Sequence, residues 1–301
     1  VAPPKPPAPE KTPAEAKPLE AQVAPEALAE KQIPAPGEVT PEKGRRKEAL
    51  PSHPGAHIFA GLEFMPVPRG KFMMGSREDN PLPFDDEKPQ HTVEIPQDYW
   101  IARFPITNEQ YAMFIKATNR EHKWLKSWER KPDHPVVNVT WHDAMAYCEW
   151  LNQTCGKDLP EEYGFRLPTE AEWEKAARGE FGFEWPWGND FDSAKCNSDE
   201  GKKGGTTPVG AYSPQGDSPY GCADMVGNVW EWTHSLSEQY PYKIDDSRED
   251  PKIEGKRVLR GGSFYDYRSY TRCAYRFRYL PDYWYDNLGF RVGVASSISG
   301  L

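Results

Sequence analysis

No apolar run in this 301-residue chain approaches the roughly 20 residues that a membrane-spanning helix needs, so direct membrane insertion is not expected. Positive charge is in deficit. Lys and Arg number 37 against 46 Asp and Glu, a net charge of −9, which argues against nucleic acid as a general partner. Cys-x-x-Cys pairs are missing, and the five cysteines, Cys148, Cys155, Cys196, Cys222 and Cys273, are odd in number. A full disulfide framework is therefore not expected, and the thiols are read as small buried hydrophobes. Aromatic residues are absent from the first 52 positions, which are built from Pro, Ala, Glu and Lys. Such a composition cannot bury enough surface to offset its ordering entropy. Residues 1–56 are read as a disordered linker, partly polyproline, with a transient helix over residues 19–31. A tether implies an anchor or a second domain beyond it. It fits an extracytoplasmic or cell-surface setting, with the cytoplasm as the alternative.

From His57 onward the composition changes, and residues 57–301 read as one folded domain. Residues 63–68 and 70–75 have the character of two strands joined by a Pro/Gly turn, and His91 to Ile95 alternates as a half-buried strand does. Three helices are marked by their caps. Thr107 with Gln110 forms a capping box ahead of Tyr111, Phe114 and Ile115. Thr140 precedes an apolar face of Trp141, Ala144, Met145, Cys148 and Leu151. Thr169 with Glu172 precedes Trp173, Ala176 and Ala177. Beyond about residue 180 helical periodicity stops, and Gly, Asn, Asp and Trp predict irregular loops held between short strands. The expected class is α+β, loop-rich, with short strands and about three helices.

Three segments carry a family resemblance: Phe165-Arg166-Leu167-Pro168-Thr169-Glu170-Ala171-Glu172-Trp173-Glu174, Met225-Val226-Gly227-Asn228-Val229-Trp230-Glu231-Trp232, and Arg257-Val258-Leu259-Arg260-Gly261-Gly262-Ser263 closing with Asn287-Leu288-Gly289-Phe290-Arg291-Val292. Phe104 to Asn108 and Trp187-Gly188-Asn189 fall in the same order. Over residues 60–295 the chain resembles the formylglycine-generating, or sulfatase-modifying factor, family, which implies an elaborated C-type-lectin-like fold. Read physically, Gly261-Gly262 allows a turn where a side chain would clash, and Arg260 and Arg291 suit buried fork donors.

The resemblance also sets expectations for chemistry. Oxidising members hold copper between two thiolates shortly after the Gly-Gly-Ser segment, where this chain has Asp266 and Thr271. Cys273 is single and out of register. Soft thiolates suit Cu(I), so no copper is expected and the chain is read as not an enzyme. Histidine-bound iron finds no helical His cluster, since Pro54 and Gly55 separate His53 from His57. The resemblance further implies a structural Ca²⁺ on Asp224, Gly227, Val229 and Glu231, where carboxylates and loop carbonyls would suit a hard cation.

Between Phe264 and Asp286, ten of 23 residues are aromatic, where the 13% chain average gives about three. Tyr and Trp give large, stiff contact area, and with Arg they dominate binding hot spots. The stretch resembles the variable region of retroelement-diversified proteins, in which adenine-directed mutagenesis of Asn-rich codons scatters Tyr, Asp, Ser and Phe over one face. The expected function is ligand binding, with Tyr265, Asp266, Tyr267, Tyr270, Tyr275, Phe277, Tyr279, Tyr283, Trp284 and Tyr285 presented to a macromolecular ligand, a protein. A fixed non-catalytic family domain and an atypical metal-dependent oxidase are the alternatives. About a third of the rings, Phe264 among them, are expected to pack inward.

Overall fold

The computed structural model describes residues 53–80, 84–120 and 125–296. The linker expected over residues 1–56, apart from its last four positions, lies outside the described residues. The capping boxes set the three longer helices. Thr107 caps α1 (Asn108–Ala117), Thr140 with Asp143 caps α3 (Trp141–Cys155), and Thr169 with Glu172 caps α4 (Glu170–Arg178). A single turn, α2 (Leu125–Trp128), lies between the first two. In α3 the buried face includes Tyr147, and Met145 is only half-buried. In α4 the expected apolar stripe is replaced by burial all round, and Glu170, Glu172, Glu174, Lys175 and Arg178 are inside with the alanines.

Eleven strands and long irregular loops follow among the described residues. β1 (His57–Phe59), β2 (Leu62–Val67), β5 (Tyr99–Ala102), β11 (Gly293–Ser296) and β6 (Tyr163–Arg166) form one sheet in that order. β10 (Leu288–Phe290), β7 (Trp230–Leu236), β8 (Arg257–Arg260) and β9 (Arg276–Tyr279) form a second. The two strands expected on either side of the Pro/Gly turn exist but do not pair with each other. β2 joins β1 and β5, while β3 (Gly70–Met74) pairs with β4 (His91–Ile95). One core packs α1 and α3 against both large sheets, with Tyr111, Phe114, Tyr147 and Phe290 in mutual ring contact. A second core surrounds Trp173 and contains Cys196, Cys222 and Cys273. All five cysteines are free, and only Cys155 is not fully buried.

Candidate functional site

The family motifs meet in a buried lattice of ion pairs. Arg291 donates from Nε and Nη2 to the Glu231 carboxylate at 2.6 and 2.7 Å, and its remaining hydrogens reach the carbonyls of Ala102, Arg103, Ala223 and Asp224. The Trp173 indole donates to the same carboxylate at 2.7 Å. Arg260 binds Glu174 and the carbonyls of Cys273, Ala274 and Tyr275. Both arginines are thus the buried forks that the sequence suggests, and the lattice ties strands, helix and loops together with charge-assisted bonds.

This lattice bears on the fit of a Ca²⁺ ion at Glu231. Both of its oxygens are committed to a guanidinium and an indole, so a dication there would have to displace or abut Arg291. Asp224 presents its carbonyl to Arg291, while its carboxylate accepts from the Gly210 N–H at 2.6 Å. The set Asp224, Gly227, Val229 and Glu231, as arranged here, does not fit Ca²⁺, because a cationic side chain already fills the charge role. Burial, opposed by the Gly210 N–H, raises the Asp224 carboxyl from an ordinary 3.8 to about 6. Its folded-state value lies above the unfolded one, so its contribution to stability is full below about pH 4 and is lost as pH rises through about 6. Asp224→Asn is therefore expected to stabilise the domain by up to about 3 kcal/mol at pH 8 and to be neutral near pH 4, measured by urea denaturation at both values. A variant equally destabilised at both would show that the ionised carboxylate is needed.

The stretch from 264 to 286 divides by the alternation of β9. Arg276 and Arg278 point one way, to Glu170 at 2.7 Å and to Asp86 at 2.9 Å. Phe277 and Tyr279 point the other way, against Trp230 and Tyr283. Arg272 is buried and holds Glu87 bidentately at 2.6 and 2.7 Å. Arg272 and Arg276 are thus anchors. Tyr275 is also corrected: it is only 7% exposed, packed between Phe84, Tyr270 and Trp230. Asp266 is half-buried and accepts from the Ser263 N–H and hydroxyl, a turn-forming role rather than a ligand-facing one. Tyr270 and Tyr279 are half-buried, and Phe264 packs inward as expected.

The remainder face out. Tyr265, Tyr267, Phe277, Tyr283, Trp284 and Tyr285 are 36–57% exposed. The Tyr279 and Tyr283 rings stack at 4.2 Å, and the Tyr283 and Tyr285 rings lie 6.0 Å apart and nearly parallel. Main-chain bonds hold the segments that carry them. Asn138 N–H donates to the Tyr285 carbonyl, Trp141 N–H to the Pro281 carbonyl, and Asp199 N–H to the Asp266 carbonyl, at 2.9 to 3.0 Å.

Residues 58–295 match the model of the sulfatase-modifying factor enzyme 1-like domain. The chain belongs to that family. It is 32% identical to a formylglycine-generating enzyme of Thermomonospora curvata, across 75% of this chain and 91% of that protein. It is 34% identical to the inactive C-alpha-formylglycine-generating enzyme 2 of Bos taurus, across 76% and 87%. Two solved structures share the fold, each at 24% identity. PvdO from Pseudomonas aeruginosa has a TM-score of 0.63 (77% of this chain, 94% of the other), and Treponema denticola variable protein 1 has 0.61 (79% and 97%).

These relatives correct the expectation that the chain is not an enzyme. Proteins named as enzymes align with it across most of their length, beside inactive paralogues of similar identity. Two altered positions speak to copper donors and not to every reaction a site can host. On that narrower point, Asp266 and Thr271 offer oxygen where Cu(I) needs sulfur, and the buried Cys273 thiol is pushed up by burial, away from the thiolate. These residues do not fit copper. Among the described residues no helix is long and apolar enough to cross a membrane.

Proposed function

We propose that this family member binds a protein ligand through the rings of Tyr265, Tyr267, Phe277, Tyr283, Trp284 and Tyr285. The observation that carries this reading is where apolar surface is left uncovered. Of the twelve large hydrophobic side chains exposed among the described residues, seven fall between 265 and 285. Clustered apolar exposure of this kind is unusual unless it serves association. The rings sit on a backbone pinned by hydrogen bonds, so little ordering entropy remains to be lost on binding. The split between buried arginine anchors and outward rings also suits a face whose residues are diversified by adenine-directed mutagenesis, since the exchangeable positions are separated from the load-carrying ones.

The test replaces Tyr265, Tyr267, Tyr283, Trp284 and Tyr285 together by Ser. The variant is expected to melt within a few degrees of the parent, because surface substitutions cost little. It should lose a protein that the parent retains from extracts or cell surfaces, and the parental gene should carry a near-repeat of its 3′ end with Asn codons at these positions. A variant that fails to fold, or that retains the same proteins, would overturn the reading.

A further inference from the structure

A second concave region lies apart from the aromatic face. A cleft of about 880 Å³ opens between β6 with the end of α3 on one side and the loop over residues 244–252 on the other. His234 and Glu249, both about 95% buried, line it. β7 departs from regular register between Trp232 and Leu236, and His234 sits in that irregular part. Bulges of this kind re-aim side chains and recur beside functional sites. The His234 Nδ1 lies 3.1 Å from Glu249 Oε2, while Oε1 of the same carboxylate accepts from the Ser235 and Tyr242 hydroxyls. A carboxylate supported in this way orients Nδ1 towards it, and the neutral tautomer that donates Nδ1–H to Glu249 has its Nε2 lone pair as an acceptor. Nε2 has no partner among the described residues, although Nδ1 and the His234 main chain are both bonded.

The charge around the cleft favours one sign. Glu162 and Asp245 are exposed on the rim, and Asp250 is half-buried beside them. Arg166 is neutralised by a bidentate bond to Glu172 at 2.6 and 2.7 Å, so Lys252 is the one lining cation without a carboxylate partner in the described structure. Tyr163 and Ile244 supply half-buried apolar wall. An acidic rim, an apolar wall and a buried acceptor nitrogen with a carboxylate behind it are complementary to a cation that carries its own N–H donors.

The geometry points to a binding site in this cleft for a small organic cation of the amine or guanidine class, whose N–H donates to His234 Nε2 while its charge faces Glu162, Asp245 and Asp250. Nothing in the ring-bearing surface enters this assignment, and the two sites are separable by experiment.

Butylguanidinium, with butyrate as an anion of matching chain length, probes the site in the whole protein. Calorimetry should give saturable binding of butylguanidinium below ~10 mM and none of butyrate, with affinity falling as salt is added. The ¹⁵N resonance of His234 Nε2 should shift on addition while Nδ1 stays. Glu162→Gln with Asp245→Asn, both exposed and so neutral for folding, should weaken binding by about tenfold. His234→Phe should abolish it, with circular dichroism checking that the variant folds. Absence of saturable binding, equal binding of butyrate, an unmoved Nε2 resonance, or undiminished affinity in the rim double variant would each overturn the assignment.

Discussion

Arg291→Met is expected to destabilise the domain by roughly 3–5 kcal/mol, the usual consequence of removing one partner of a buried ion pair. Glu231 would be left uncompensated at full burial, and the carbonyls of Ala102, Arg103, Ala223 and Asp224 would lose their donor together. Urea denaturation measures the loss. Adding Glu231→Gln to the Met variant should recover part of it, because the stranded charge is then gone while the Trp173 indole keeps an oxygen to donate to. If the single variant unfolds at the same urea concentration as the parent, the Arg291–Glu231 pair is not the hub that its geometry describes.

Trp173→Ala should cost a similar amount, roughly 3–5 kcal/mol, for a different reason. The ring is fully buried in the second core, stands against Arg260 with its guanidinium 5.4 Å from the ring centre, and is among the largest enclosed side chains. Deletion opens a cavity and removes the indole donor to Glu231 at once. Trp173→Phe, which keeps apolar volume and loses the donor, should recover more than half of the stability. Equal loss in the two variants would assign the whole effect to the hydrogen bond.

Local signals in the sequence were legible where the physics is local. Thr107, Thr140 and Thr169 each satisfy amide groups within three residues, and each marked its helix correctly. Strand pairing was less so. The Pro/Gly turn after β2 looks like a hairpin, but β3 finds its partner twenty residues on, a choice made by the core and not by the turn. The anchoring role of the arginines in the aromatic stretch was hidden for the same reason. Arg272 and Arg276 carry no mark of burial in sequence, and their carboxylates lie 185 and 106 residues away. At Glu231 the acidic residue and loop carbonyls suggested a cation of the right sign, and the structure supplies Arg291 from 60 residues on. The cleft beside His234 gave no sequence signal, since it arises where a strand irregularity meets a distant loop. The one available hint was a His and a Glu fifteen positions apart around a Pro- and Tyr-containing segment.

The main-chain hydrogen bonds that hold residues 281 and 285 have an evolutionary consequence. An amide or carbonyl is the same in every residue except proline, so these attachments are blind to the side chain they carry. Exchanges among Tyr283, Trp284 and Tyr285 should therefore alter the outward chemistry and leave the anchorage intact, with coupling confined to the stacked Tyr283 and Tyr285 rings. Exchanges among Trp173, Glu231 and Arg291 share their bonds and must be strongly epistatic. The domain thus contains a set of positions whose exchange leaves the anchorage intact and a set that can change only in concert, and Tyr285 of the first lies only six residues from Arg291 of the second.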